Sequence, residues 1–167
     1  MRINAPFFWQ DREYTCGPAA LQMVLSFLGD FKSETALARE AKTSKETGTK
    51  HKGMIETAKK EGFFVYVNSE SDAEEIRRFL ALEHPVIVDF LEPSSDIGHY
   101  AVATAIGRGG PFFRKVIHLN DPWNGKDFKM PLKEFEKRWK DPLTKSKGWL
   151  MVVSKKDLNL GKQYLPD

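Results

Sequence analysis

Cysteine is nearly missing from this sequence: Cys16 is the one cysteine among 167 residues. A single cysteine cannot form an intramolecular disulfide or a metal site built from several cysteines. Cys16 is therefore either a buried apolar residue or a reactive thiol, and its surroundings in the sequence have to decide between the two.

Long apolar runs are missing as well. The longest, at 100–106 and 149–153, are too short to span a bilayer and are typical of buried strands. The first ten residues lack the hydrophobic segment and the small-residue cleavage site of a signal peptide. We therefore expect a cytoplasmic protein that does not insert into a membrane.

The net charge is only +3, and lysine and glutamate are interleaved along much of the chain, as on a solvated surface. No nucleic-acid-binding signature is present, so we expect no nucleic-acid partner. A phosphate-binding glycine loop and a His/Cys cluster with metal-ligand spacing are also lacking, so we expect no cofactor and no metal site. With 41% hydrophobic and 29% charged residues, the chain suits one globular domain over residues 1–167.

The first third of the chain is predicted to be helical. One helix begins at Cys16 and ends at Gly29, because apolar side chains recur between them at helical spacing. Ser33 is the predicted N-cap of a second helix that runs to about residue 41. A polar loop over residues 43–53 leads to a third helix at 54–60, which Gly62 ends.

Strands dominate the rest of the chain. A first strand is predicted at 63–67, and Asp72 with Glu75 forms a capping box before a helix. The later strands are predicted at 86–91, 99–106, 116–120 and 149–153, with a helix at 132–139 before the last one. Helices that precede strands, with few alternating units, predict the α+β class: an N-terminal helical half packed on a C-terminal antiparallel sheet.

The surroundings of Cys16 favour a reactive thiol. At a helix N-terminus, the macrodipole and the unpaired backbone N–H groups stabilise a thiolate. Gly17 would let a substrate approach the backbone, and Pro18 is suited to a first helical turn. The alternative is a helix that happens to begin with a buried cysteine.

A thiolate nucleophile needs a base, and the chain has four histidines. His51 lies between two lysines and is predicted to be solvated, while His84 precedes a proline and is typical of a turn. His118 lies inside a strand and is predicted to be a half-buried structural residue. His99 begins an apolar strand, where a side chain can face a cleft, so we take His99 as the candidate base.

Two further polar residues complete the candidate site. Asp121 ends the strand that follows His99 and could orient the imidazole ring; the alternative is an ordinary Asp-Pro turn. Five residues separate Gln10 from Cys16, and the alternative for Gln10 is a surface residue.

These residues resemble three sequence blocks of the papain-like bacteriocin-processing cysteine peptidases, which cleave double-glycine leader peptides, and of their stand-alone relatives without transporter domains. The blocks stand here as Gln10 before Cys16-Gly17-Pro18-Ala19, then Gly98-His99-Tyr100-Ala101-Val102, then Asn120-Asp121-Pro122. The stretch 53–63 and the pair Phe135 and Trp139 resemble the stand-alone branch. Thr15 departs from the Asp that often precedes the cysteine in the exporter peptidases.

The resemblance implies a papain-like α+β fold and a cysteine peptidase or related thiol amidohydrolase with a peptide or protein substrate. Such an enzyme would cleave a peptide or amide bond through a thioester acyl-enzyme. It gives Cys16 the role of nucleophile, His99 that of general base and acid, and Asp121 that of orienter. It places the Gln10 amide beside the Cys16 backbone N–H in an oxyanion hole. Two alternatives stay open: a peptide-binding module without turnover, and an acyl transferase that uses the same residues.

Overall fold

The computed structural model describes residues 2–110, 114–142, 146–160 and 163–167. The helices are α1 (Cys16–Phe27), α2 (Glu34–Glu40), α3 (His51–Lys60), α4 (Ala73–Ala81) and α5 (Leu132–Arg138). The strands are β1 (Phe64–Asn68), β2 (Val86–Leu91), β3 (Gly98–Gly109), β4 (Arg114–Asp121), β5 (Gly125–Pro131), β6 (Leu150–Ser154) and β7 (Gln163–Tyr164).

Helix α1 begins at Cys16, as its sequence predicts, and buries most of its length. Gly17 is needed here for packing: a Cβ at this position would come within 2.8 Å of the Thr49 side chain. Gly17 was expected to open the backbone to a substrate. In the structure it instead lets α1 pack closely against the segment before α3.

Helix α2 has its predicted cap, since the Ser33 hydroxyl accepts a hydrogen bond from the backbone N–H of Ala36 at 3.2 Å. Helix α3 begins three residues earlier than predicted, at His51. Gly53 lies inside its first turn, where a Cβ would overlap the carbonyl oxygen of Ala41. Gly53 allows α3 to pack closely against the end of α2. The sequence pattern alone had placed it in a loop.

The predicted capping box before α4 forms by half. The Asp72 carboxylate accepts from the Glu75 backbone N–H at 2.8 Å. The Glu75 carboxylate does not return the bond; it accepts from the Tyr66 hydroxyl at 2.7 Å and from the Asn68 amide at 2.9 Å. Glu75 thereby ties α4 to β1.

The sheet of the described residues has seven strands in the order β5-β4-β3-β2-β6-β1-β7, and every pairing is antiparallel. Strand β2 has its predicted bounds. Strands β5 and β7 are absent from the sequence-based prediction. Both lie at the edges of the sheet, where one flank needs no partner and the apolar alternation is weak.

Helices cover both faces of the sheet. On one face, α1 and α3 pack against the sheet in a core that contains Ile87, Val102 and Met151, and α2 packs against these two helices. On the other, α4 and α5 pack against Val88, Ala101 and Val152. The predicted helical half on an antiparallel sheet is confirmed, and the two later helices add a third layer. In the described part of the chain, no helix is long and apolar enough to cross a bilayer.

Candidate active site

Cys16 and His99 line the same cleft, which has a volume of about 300 Å³. Cys16 is half-buried and belongs to the first turn of α1, whereas His99 lies at the start of β3. The other lining residues come from the segment before α1 and from the loops around β3 and β4: Gln10, Glu13, Glu92, Ser94, Ser95, Ile97, Gly98 and Trp123. The cleft therefore opens where the helical layer meets one end of the sheet.

The His99 ring bonds to Asp121. Its Nε2 lies 2.7 Å from Asp121 Oδ1, with 7% of the His99 side chain and none of the Asp121 side chain exposed. Asp121 ends β4, and the antiparallel pairing of β3 and β4 brings it beside the start of β3. Because Nε2 is taken by Asp121, the ring nitrogen available to Cys16 is Nδ1.

The pKa of His99 is raised to about 10. Burial by itself would lower it, but hydrogen bonds to Asp121 and Cys16, and the negative charges of both, outweigh burial. His99 is thus held in its imidazolium form at neutral pH. The ring of His99 therefore carries its positive charge between the Asp121 carboxylate and Cys16.

Asp121 is held by backbone donors as well. Its Oδ1 accepts from the N–H of Trp123 at 2.8 Å and of Asn124 at 2.9 Å. Burial would raise the pKa of Asp121, but the hydrogen bond and charge of His99 and these two N–H groups lower it. Asn120, the preceding residue, donates to the Ala5 carbonyl and does not bond to His99. Of this neighbouring pair, Asp121 is therefore the partner of His99.

Gln10 lies in the same cleft, and two bonds fix it there. Its backbone N–H donates to the Pro122 carbonyl at 3.1 Å, next to Asp121. Its side-chain Nε2 donates to the Arg12 carbonyl at 2.7 Å, which uses one of the two amide hydrogens. The Gln10 Oε1 is buried without a partner among the described residues.

A buried glutamate anchors the segment between Gln10 and α1. The Glu34 carboxylate accepts from the Asp11 backbone N–H at 3.0 Å. Thr15 is buried, and its hydroxyl bonds to both the N–H and the carbonyl of Arg12. These bonds fix the turn that carries Gln10 toward Cys16.

Several cleft residues were not predicted. Glu92 is buried and accepts from Ser94 and Asn124; burial would raise its pKa, but these bonds lower it, so it stays negatively charged. Ile97 and Trp123 are exposed by 67% and 51%. Their positions directly before Gly98-His99 and after Asp121-Pro122 are the signal that could have identified them.

The prediction for His51 is wrong. His51 is half-buried, bonds to Asp89 at 2.7 Å and stacks on Trp149. His51, Asp89 and Asp141 form a group of side chains that could hold a metal ion, and this group lies outside the Cys16 cleft. His118 is a half-buried strand residue, as predicted, and bonds to Asp127 at 2.7 Å.

The cleft joins a cysteine at a helix start to a buried His–Asp pair on an antiparallel sheet, which together describe a cysteine peptidase-type domain. The chain belongs to the Peptidase_C39 like family, whose model matches residues 2–145. None of the curated proteins matches it.

Two solved structures show the same fold. One is a double glycine motif protease from an AMS/PCAT transporter in complex with its leader peptide; it is 20% identical, with a TM-score of 0.69, over 91% of this chain and 92% of that chain. The other is the peptidase domain of Streptococcus ComA, a bi-functional ABC transporter of a quorum sensing pathway. It is 24% identical, with a TM-score of 0.68, over 92% of this chain and all of that chain.

Proposed function

We propose that this protein is a cysteine peptidase that cleaves a peptide bond through a thioester acyl-enzyme. The observation that carries the proposal is the position of the His99 ring, which bonds to buried Asp121 and lines the same cleft as Cys16 at the start of α1. Acyl transfer by a thiol requires a nucleophile beside a base, and a carboxylate that orients the base.

The steps follow from these positions. The Cys16 thiolate attacks the peptide carbonyl carbon, and the charge that develops on the carbonyl oxygen is stabilised by the Cys16 backbone N–H and the free amide hydrogen of Gln10. His99 gives its proton to the leaving amine as the C–N bond breaks, and a thioester remains. His99 then takes a proton from water, which attacks the thioester and releases the acid and the thiolate.

The substrate proposed is a peptide that carries a double-glycine site. The support is the fold shared with a protease whose structure holds such a leader peptide. The cleft adds the buried charge of Glu92 and the exposed side chains of Ile97 and Trp123, which would contact residues near the cleaved bond.

The test is cleavage of a synthetic double-glycine leader peptide, and of a peptide library, followed by mass spectrometry. We expect Cys16→Ala to abolish turnover while leaving the fold intact, because the change removes little volume. Gln10→Ala should lower turnover by about 10²–10³-fold with little change in KM, as for other oxyanion-hole donors.

Arg12→Ala is the matched control for Gln10→Ala, since it keeps the backbone carbonyl that Gln10 binds. Undiminished turnover in Cys16→Ala would contradict the proposal. Tight peptide binding without cleavage by the wild type would instead identify a binding module, and transfer of the acyl group to an added amine would identify a transferase.

A further inference from the structure

One side chain joins the two buried carboxylates beside the Cys16 cleft. The Asn124 Nδ2 lies 3.1 Å from Asp121 Oδ2 and 3.3 Å from Glu92 Oε1. Asp121 and Glu92 are both buried, whereas Asn124 is an exposed residue of the turn between β4 and β5. An ionised carboxylate only accepts hydrogen bonds, so the NH₂ group of Asn124 faces both carboxylates and donates one hydrogen to each.

The Asn124 amide anchors one of the two Asp121 oxygens by itself. Among the described residues, Oδ1 of Asp121 accepts from His99 Nε2 at 2.7 Å and from the backbone N–H groups of Trp123 and Asn124. Oδ2 accepts only from the Asn124 side chain. The terminal torsion of an Asp side chain is broad, so a carboxylate held at one oxygen can still turn. A donor on the second oxygen fixes its plane.

Glu92 holds the Asn124 amide in turn. Its Oε2 accepts from the backbone N–H of Ser94 at 2.8 Å and from the Ser95 hydroxyl at 3.1 Å, which leaves Oε1 for Asn124. A chain of hydrogen bonds therefore runs from the loop after β2, through Glu92 and Asn124, to Asp121 at the end of β4. Two separate segments of the fold hold one carboxylate.

The other His–Asp pair is anchored by a charged group. Asp127 contacts the Arg2 guanidinium as well as His118. Asp121, in contrast, receives only neutral donors apart from His99 in the described part of the chain. A neutral amide can position a carboxylate without placing a second positive charge beside it. The donors around Asp121 therefore leave His99 as its cationic partner.

We propose that Asn124 is a positioning residue: its side-chain amide sets the plane of the Asp121 carboxylate and thereby the direction of the bond to His99. The inference rests on the proposed function, because it gives Asn124 a part in keeping His99 aligned with Cys16. It deepens that function because Asn124 is not one of the described residues that line the cleft, so it acts through Asp121 and not on the substrate.

The test is the exchange of the His99 Nε2 proton with solvent, measured by NMR on the full chain labelled with ¹⁵N-histidine. His99→Gln assigns the resonance. We expect a protected proton in the wild type, because the bond to Asp121 is buried. Asn124→Ala should exchange this proton about tenfold faster or more, as expected when one hydrogen bond to a charged group is lost.

Two further variants separate positioning from packing. Asn124→Asp keeps the size of the side chain but replaces its two N–H donors by an acceptor, so exchange should be at least as fast as in Asn124→Ala. Lys126→Ala, an exposed change in the same turn region, is the matched control and should exchange like the wild type. A lower thermal unfolding midpoint in Asn124→Ala with wild-type exchange would identify a merely structural residue and overturn the proposal.

Peptide cleavage distinguishes a failure of this inference from a failure of the proposed function. If the wild type cleaves the double-glycine peptide, Asn124→Ala should lower kcat about tenfold with little change in KM. Faster proton exchange in Asn124→Ala, without cleavage by the wild type, would contradict the peptidase and support the positioning role. A wild type that cleaves, with exchange and kcat unchanged in Asn124→Ala, would overturn the positioning role alone. An unprotected Nε2 proton in the wild type would overturn it as well.

Discussion

Two histidine–aspartate pairs in this protein have the same length and different surroundings. His99–Asp121 and His118–Asp127 are both joined at 2.7 Å. The side chains of the first pair are 7% and 0% exposed, and those of the second 13% and 29%. The first pair faces the Cys16 thiol, and the second faces the Arg2 guanidinium.

The comparison teaches that the length of the hydrogen bond does not identify a reactive histidine. Arg2 already neutralises Asp127, whose pKa is lowered by its bonds to His118 and Arg2 in spite of burial. In the first pair, His99 is the one described cation that Asp121 contacts. Asp121 therefore holds the proton on His99, beside Cys16.

The largest difference between the two pairs should appear in the loss of stability when each carboxylate is removed. Asp121→Ala leaves His99 buried without its acceptor, and breaking a buried pair in this way costs about 3–5 kcal/mol of unfolding free energy. Asp127→Ala is the matched change in the less buried pair and should cost less than about 1 kcal/mol. Urea unfolding of the two variants and the wild type measures both values. Equal losses would show that burial does not distinguish the pairs.

A smaller effect is expected in the pH dependence of stability, to which His99 should contribute. His99 titrates near pH 6.5 in the unfolded chain and near 10 in the folded protein. Its stabilisation is thus fully present below pH 6.5 and is lost as the pH rises toward 10.

The stability of His99→Gln, measured beside the wild type, isolates this contribution. Between pH 6.5 and 10, the gap in unfolding free energy between the two should narrow by about 1–3 kcal/mol. A gap that stays constant over this range would show that His99 does not hold its proton in the folded state.

Local features of the fold were predictable because each rests on neighbours in the sequence. Apolar spacing after Cys16 predicted α1, and the Ser33 hydroxyl predicted the start of α2. The apolar run of β2 was bounded by Pro85 and by the polar loop after Leu91. The order of Cys16, His99 and Asp121, and the strand ends that carry the last two, predicted that they could meet.

Contacts between distant residues were not predictable in the same way. The lysines around His51 indicated a solvated loop, but the side chain is covered by Trp149, 98 positions later, and bonds to Asp89, 38 positions later. Gly53 looked like a loop residue because its packing partner, the Ala41 carbonyl, lies at the end of α2, twelve positions earlier. Strand β5 is an edge strand that pairs with β4. Its own residues do not indicate this pairing, so the sequence did not predict the strand.

The central proposal is that His99, held by Asp121, activates Cys16 as the nucleophile. The rate of Cys16 alkylation by iodoacetamide, followed by mass spectrometry at pH 6 and pH 8, tests it directly. We predict similar rates at both pH values for the wild type, and a rate at pH 6 at least tenfold lower for His99→Gln. A wild-type rate roughly 100-fold lower at pH 6 than at pH 8, as for an isolated thiol, and unchanged in His99→Gln, would contradict the claim.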